Sequence, residues 1–141
     1  MVLSSQRVDL KDALYNVVKG KGRSETANPL VQNGQKIIPS VTRVFSRGRG
    51  LYVYLQAYDQ IAPSAQPLIA FVSLYTNQRK AYESPPIEVK SGSNERLKTT
   101  PIQFSIALTD LPAGKYDCQV TVLEPTEQKV AFWRAPIVLV P

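Results

Sequence analysis

The sequence predicts an all-β protein: an antiparallel β-sandwich of the immunoglobulin-like or fibronectin III-like kind, with a loosely structured N-terminal segment. Apolar and polar residues alternate with a period of two through most of the chain beyond residue 36, as they do in half-buried strands. Eleven prolines and several turn-forming clusters separate these runs at the spacing typical of a sandwich. The stretch DLPAGKYDCQVTV, residues 110–122, adds the Gly-x-Tyr-x-Cys spacing that opens one strand of such folds.

The chain of 141 residues is long enough for one domain whose core needs neither a disulfide nor a metal. We predict a partly irregular strand and loop segment over residues 1–35 and the sandwich over residues 36–141. Within the first segment, residues 9–18 (DLKDALYNVV) are the best helix candidate, because Asp9 can cap a run whose leucines and valines share a face.

The first long strand is LYVYLQAY, residues 51–58, in which Tyr52, Tyr54 and Tyr58 lie opposite the apolar face. The next is PLIAFVSLY, residues 67–75, which is apolar on both faces. Such a run is expected of a central strand that is covered on both sides.

Two regularly alternating strands follow, at residues 101–108 (PIQFSIAL) and 115–122 (KYDCQVTV). The last segment, residues 129–141 (KVAFWRAPIVLVP), contains Pro136, which suits an edge strand or a bulge because proline cannot donate to a ladder. Shorter strands are predicted at KII, VTRVF, KAYE and IEV.

The Gly-x-Tyr-x-Cys stretch has an architectural interpretation. In immunoglobulin-like sandwiches a tyrosine at this point packs at a corner and its hydroxyl bonds to a nearby backbone group. Tyr116 is predicted to fill that place, and Pro112 and Gly114 supply the tight turn before it. Cys118, the only cysteine, then points into the core as a small apolar residue rather than serving as a nucleophile.

The residues needed for most catalysis are missing. The chain has no histidine, so Ser-His-Asp and Cys-His catalysis and histidine metal sites are excluded. The acids are scattered, and no glycine-rich loop has the spacing of a phosphate-binding motif. We therefore predict that the protein is not an enzyme and carries no cofactor and no metal.

Two features of the sequence are candidates for binding. Tyr52, Tyr54 and Tyr58 form a strip whose rings suit protein interfaces and sugar stacking. The alternative is that the N-terminal segment, or a neighbouring strand such as the one carrying Tyr75, covers these rings. The second feature is the SRGRG turn of residues 46–50, interpreted as a hairpin turn permitted by its two glycines.

The turn presents Arg47 and Arg49, which can grip phosphates or carboxylates. The net charge is +6, and residues 1–60 hold nine basic residues against four acids. This excess is concentrated in KGKGR, residues 19–23, and in the SRGRG turn. Neither cluster is dense enough for a basic binding patch, so we interpret both as solvated loops. Weak polyanion binding through these loops is the alternative, and a nucleic-acid partner is not expected.

The chain also shows a resemblance to a known family. The run from Asn28 to Asp59, which contains IIPSVTRVF and LYVYLQAYD, is followed by LIAFVSLY, by residues 101–122 and by a closing AFWRAPIVLV. Together they resemble the C-terminal region of bacterial von Willebrand factor A-related proteins, the secreted or envelope-associated kind found in acidobacteria. The Asp-x-Ser-x-Ser metal motif of the A domain is absent from this chain, so its metal site does not transfer.

From these observations we predict a non-catalytic interaction or spacer module of a larger exported bacterial protein. The predicted partner is a protein or a glycan, and the chain is expected to be a monomer or a weak homodimer. No signal peptide and no membrane-spanning run is present, and the resemblance implies an extracytoplasmic place (periplasm, envelope or outside the cell). The alternative function is a carbohydrate-binding module that uses the tyrosine strip.

Overall fold

The computed structural model describes residues 1–9, 30–32, 34–58, 67–90 and 99–141, and all of their regular structure is β-strand, which confirms the all-β prediction for these residues. The strands in chain order are β1 (Val2–Ser4), β2 (Gln6–Asp9), β3 (Val31–Gln32), β4 (Gln35–Ile38), β5 (Val44–Ser46), β6 (Leu51–Tyr58), β7 (Pro67–Thr76), β8 (Arg79–Glu83), β9 (Ile87–Lys90), β10 (Thr99–Ile106), β11 (Gly114–Glu124) and β12 (Lys129–Val140). Asp9 ends β2, and the remainder of the predicted helix, residues 10–18, lies outside the described residues.

The strands form three sheets. The first has the order β1-β6-β10, the second has the order β5-β12-β11-β7-β8 with β9 also paired to β7, and a small third sheet has the order β2-β4-β3. Neighbours run antiparallel except β5 and β12, which run parallel. The N-terminal residues 1–9 thus supply strands to two sheets, β1 to the first and β2 to the third.

Buried side chains of the first and second sheets form one hydrophobic cluster, as the period-two pattern of their strands requires. Alternate residues of the long strands contribute to it, and from β12 these are Ala135, Ile137 and Leu139. Its fully buried larger members are Phe45, Leu51, Val53, Val72, Leu74, Ile102, Ile106, Leu108, Cys118, Val120, Ile137 and Leu139. The two larger sheets are therefore held together by apolar burial, since Cys118 forms no disulfide.

A tight corner leads into β11. The Tyr116 hydroxyl donates a hydrogen bond of 2.9 Å to the carbonyl oxygen of Pro112, and the Tyr116 ring is buried. Just before it, the Leu111 amide donates to the Leu108 carbonyl at 3.1 Å. Gly114 has a φ of +156°, which side chains rarely adopt, so glycine is required for the chain to leave the corner in this direction.

From the corner, β11 pairs with β12 without interruption, from Gly114 opposite Leu139 to Glu124 opposite Lys129. On its other side, within the described part of the chain, β12 pairs only with β5, and that pairing covers just Val138–Val140. Among these residues most of β12 is therefore an edge strand, one of the two predicted alternatives. The bulge that was the alternative is absent, because the register passes through Pro136 without a shift.

The prediction of a hairpin at residues 46–50 is wrong. β5 belongs to the second sheet and β6 to the first, so these residues connect two sheets instead of two paired strands. Gly48 and Gly50 also lack the positive φ that a tight hairpin turn needs. The chain instead turns through a bond from the Arg49 amide to the Ser46 carbonyl, at 3.0 Å.

We expect Tyr116→Phe to lower the free energy of unfolding by about 1 kcal/mol, because it removes one largely buried hydrogen bond and keeps the ring. Tyr52→Phe is the matched control, since Tyr52 is half-buried and its contact with Arg7 is made by the ring, which phenylalanine keeps. Urea unfolding of the two variants measures the difference. Equal effects would show that the corner bond contributes nothing specific.

Candidate functional site

The structure separates the three tyrosines of the predicted strip. Tyr54 is buried, with 4% of its surface exposed, and so cannot offer its ring to a ligand from solvent. Tyr52 is half-buried, and the guanidinium carbon of Arg7 lies 4.3 Å from the centre of its ring. Tyr58 pairs with Thr99 through the backbone, and its side chain lies outside what the structure describes. Tyr52 and Tyr54 therefore form no open stacking platform.

The covering of Tyr52 comes from the N-terminal segment. Arg7 lies on β2, which pairs with β4 in the small third sheet, and the contact is a cation–π interaction. Tyr75 takes no part in pairing with β6, because it lies on β7 in the second sheet. Of the two ways in which the strip could be covered, the N-terminal one is observed for Tyr52.

The two arginines of residues 46–50 have different surroundings. Arg47 is half-buried, its Nη2 donates to the Thr109 carbonyl at 2.8 Å, and its amide donates to the Val140 carbonyl at 2.9 Å. Its guanidinium therefore ties the connection to the residues that follow β10. The Arg49 side chain is exposed, and this leaves a single arginine of the turn fully presented to solvent.

Cys118 is fully buried between β12 and β7, where it lies opposite Ala135 and Leu74. Burial raises the pKa of its thiol to about 12. A thiol that stays protonated at neutral pH is a poor nucleophile. The geometry and the pKa both agree with a core role for this residue.

An exposed apolar feature that the sequence analysis missed lies at the start of β12. The six residues Lys129–Arg134, which we call the hairpin tip, are all exposed. Within it, Val130 is 64% exposed, Phe132 67% and Trp133 40%. Exposed large apolar side chains are unremarkable singly, but adjacent ones mark a contact surface.

The hairpin tip continues into an apolar patch on the face of the second sheet that is turned away from the core. Directly paired residues of antiparallel strands share a face. One row of this face contains Val130, Leu123 and Ile69, and the next contains Phe132, Thr121 and Phe71. We call these two rows the outer patch. Its members on β11 and β7 are mostly half-buried, so its most accessible part is the hairpin tip.

A polar row borders the outer patch. Arg134 donates to Gln119 Oε1 from Nε at 3.1 Å and from Nη2 at 2.6 Å, and Gln119 in turn donates to Thr121 Oγ1 at 3.1 Å. The Arg134 guanidinium carbon also lies 5.2 Å from the centre of the Tyr75 ring. These contacts fix Arg134 across three strands, so the outer patch has one ordered, positively charged margin.

The same row continues to the opposite edge of the sheet. Ser73 Oγ donates to Glu83 Oε2 at 3.1 Å, and Lys80 Nζ lies 2.7 Å from the same oxygen. The hydrogen bond with Glu83 raises the pKa of Lys80, and the bond from Lys80 lowers the pKa of Glu83. Both groups are therefore charged in the neutral range, and they form an exposed ion pair.

One sequence signal could have indicated the hairpin tip. Val130, Ala131, Phe132 and Trp133 are four consecutive apolar residues in a strand that also contains a proline. In an edge strand that extends beyond the strand on its outer side, such a run exposes apolar side chains on both faces. The sequence pattern alone does not reveal which strand is left without a second neighbour.

Two further observations concern the described residues only. No group of three or more histidine, cysteine, aspartate or glutamate side chains is arranged there to hold a metal ion. No helix among them is long and apolar enough to cross a membrane.

In comparisons with known proteins, no protein-family model matches the chain, and no match is found among the curated proteins.

We expect Cys118 to resist thiol reagents in the folded protein, because burial raises the pKa of its thiol to about 12 and also blocks access. Labelling with a chromogenic disulfide at pH 8 should be slow without denaturant and complete within minutes in denaturant. Fast labelling of the folded protein, at the rate of a free thiol in solution, would contradict the core placement.

Proposed function

We propose that the chain is a non-catalytic protein-interaction module whose contact surface is the hairpin tip together with the outer patch. The observation that carries the proposal is the exposure of Val130 and Phe132 on a strand that has no second neighbour at that point among the residues that the structure describes. Exposing these side chains to water is unfavourable, by about 25 cal/mol for each Å² of apolar surface. A partner that covers them recovers this free energy.

The proposal extends to the fold. An immunoglobulin-like sandwich is favoured by the shared core of the two larger sheets and by the bond from Tyr116 to Pro112. The parallel pairing of β5 with the end of β12 agrees with it. In such a fold the loops and edge strands carry recognition while the core serves stability.

A protein partner suits the chemistry of the surface better than a sugar or a polyanion does. Aromatic and aliphatic side chains beside an ordered arginine are typical of protein interfaces. The glycan alternative is weakened by the burial of Tyr54, and the polyanion alternative by the engagement of Arg47 with Thr109. Residues 19–23, the other basic cluster, lie outside the described residues. Placement in a larger exported protein rests on the resemblance given above.

The test compares three kinds of ligand on the immobilised full chain: a displayed library of extended peptides, a glycan array, and a polyphosphate eluted in salt steps. We expect peptides to be selected, and their affinity to fall at least about tenfold in Phe132→Lys, the loss typical of a central interface residue. Val41→Lys is the matched control, since Val41 is 96% exposed and belongs to neither the hairpin tip nor the outer patch. It should bind as the wild type does.

Other outcomes would contradict the proposal. Glycan binding that is lost in Tyr52→Ala but kept in Phe132→Lys would favour the carbohydrate alternative. Retention of polyphosphate alone, released by modest salt, would favour electrostatic binding. Selected peptides that bind Phe132→Lys and the wild type equally would place the contact elsewhere on the chain.

A further inference from the structure

We infer that the open edge of β12 pairs with the same edge of a second copy of this chain, antiparallel and about a two-fold axis at Phe132. The inference rests on the proposed function, because both use the hairpin tip, but it names the partner and the register. Three features support it: the direction of the backbone groups, the ends of the open edge and the side chains that would meet.

The backbone groups that face the open edge belong to every second residue of β12. The Val138 amide donates to the Arg43 carbonyl at 3.0 Å, and the Val140 carbonyl accepts from the Arg47 amide at 2.9 Å. Both bonds lie on the side of β12 away from β11. Because a strand repeats every two residues, the N–H and C=O groups of Val130, Phe132 and Arg134 point to that same side.

Nothing in the described part of the chain pairs with those groups, since β5 covers only Val138–Val140. Unpaired N–H and C=O groups in a row have one well-matched partner, another extended strand. The unpaired backbone groups of this edge are therefore best matched by another β-strand. That strand belongs either to another protein or to a second copy of this chain.

The two ends of the open edge fix its length, and the same edge of a second copy matches that length. At one end Gln128 has a φ of +54° and turns the chain away. At the other end Pro136 has no N–H to offer, and its nitrogen faces the same side as the Val138 amide. The outward-facing groups of the open edge thus belong to Val130, Phe132 and Arg134, and the middle residue is Phe132.

A two-fold axis at Phe132 therefore uses the whole open edge of both copies. Phe132 lies opposite Phe132 of the second copy, and Val130 and Arg134 lie opposite each other in two equivalent pairs. Three hydrogen-bonded pairs form, with about six backbone bonds in all. A slip of two residues in one direction sets Pro136 opposite Val130, where the proline ring stands in place of an N–H and leaves the Val130 carbonyl of each copy without a donor. A slip in the other direction sets Arg134 opposite the turn at Gln128 and loses bonds. The register centred on Phe132 avoids both.

The side chains tolerate this register. Directly opposed residues share a face, so the two Phe132 rings come together beside both outer patches and are removed from water. Lys129 lies opposite Ala135, and Arg134 lies opposite Val130, so no like charges are directly opposed. An edge-to-edge contact of this length falls at the small end of specific interfaces, and we expect a dissociation constant of about 10 to 100 µM.

The test is sedimentation equilibrium of the full chain over a concentration range that brackets this value. The wild type should associate to a dimer, and Phe132→Lys and Phe132→Glu should each weaken the association at least about tenfold, because they oppose like charges across the axis. An equimolar mixture of the two variants should dimerise again, because lysine then lies opposite glutamate. Val41→Lys, the control for added charge, should dimerise as the wild type does.

A wild type that stays monomeric well above 100 µM would overturn the inference, and so would a Phe132→Lys variant that dimerises unchanged or a mixture that fails to recover. These failures are distinguishable from failure of the proposed function. If peptides still bind in a Phe132-dependent way while the wild type stays monomeric, the proposed contact surface stands and the proposed pairing with a second copy fails. If neither peptides nor a second copy depends on Phe132, both proposals fail.

Discussion

The pairing of β11 with β12 is the constraint on which the rest of the structure depends. It begins at the corner, where Gly114 and the bond from Tyr116 to Pro112 set the direction of β11, and it runs to the turn after Glu124 without a shift in register. Because the register is unbroken, it decides which residues of both strands enter the core and which face outward. The register places Cys118 in the core opposite Ala135, and it places Phe132 on the outward face.

In the described ranges, part of β12 has β11 as a neighbour on one side and no strand on the other. β11 is covered on both sides, by β12 and by β7, whereas β12 meets β5 only over its last three residues. Proteins usually protect such an edge with charge, with proline or with an early end to the strand. Here Pro136 protects one position, and the apolar residues before it stay in water. An edge that is protected at one end and apolar in its middle is the pattern that strand pairing with a partner requires.

The strand periodicity predicted β6, β7, β10, β11 and β12, and the spacing around Tyr116 predicted the corner. These features are local, since they depend on alternation and on turn chemistry within a few residues. The exposure of a given face is not local. Tyr54 alternates away from Leu51 and Val53 as expected, yet it is buried, and Tyr52 lies beneath an arginine of β2. Phe132 is 67% exposed, and β5 pairs only with Val138–Val140 at the other end of β12. Both outcomes follow from the order of strands in the sheets, which alternation does not specify.

The most direct test of the open edge is amide hydrogen exchange, followed residue by residue by NMR at two protein concentrations, one below and one above the expected dissociation constant. The amides of Trp133 and Ala135 point toward β11 and should exchange slowly at both concentrations. Those of Phe132 and Arg134 should exchange quickly in the dilute sample and slow markedly in the concentrated one. Fast exchange of these two amides at both concentrations would contradict pairing with a second copy, and slow exchange at both would contradict the open edge itself.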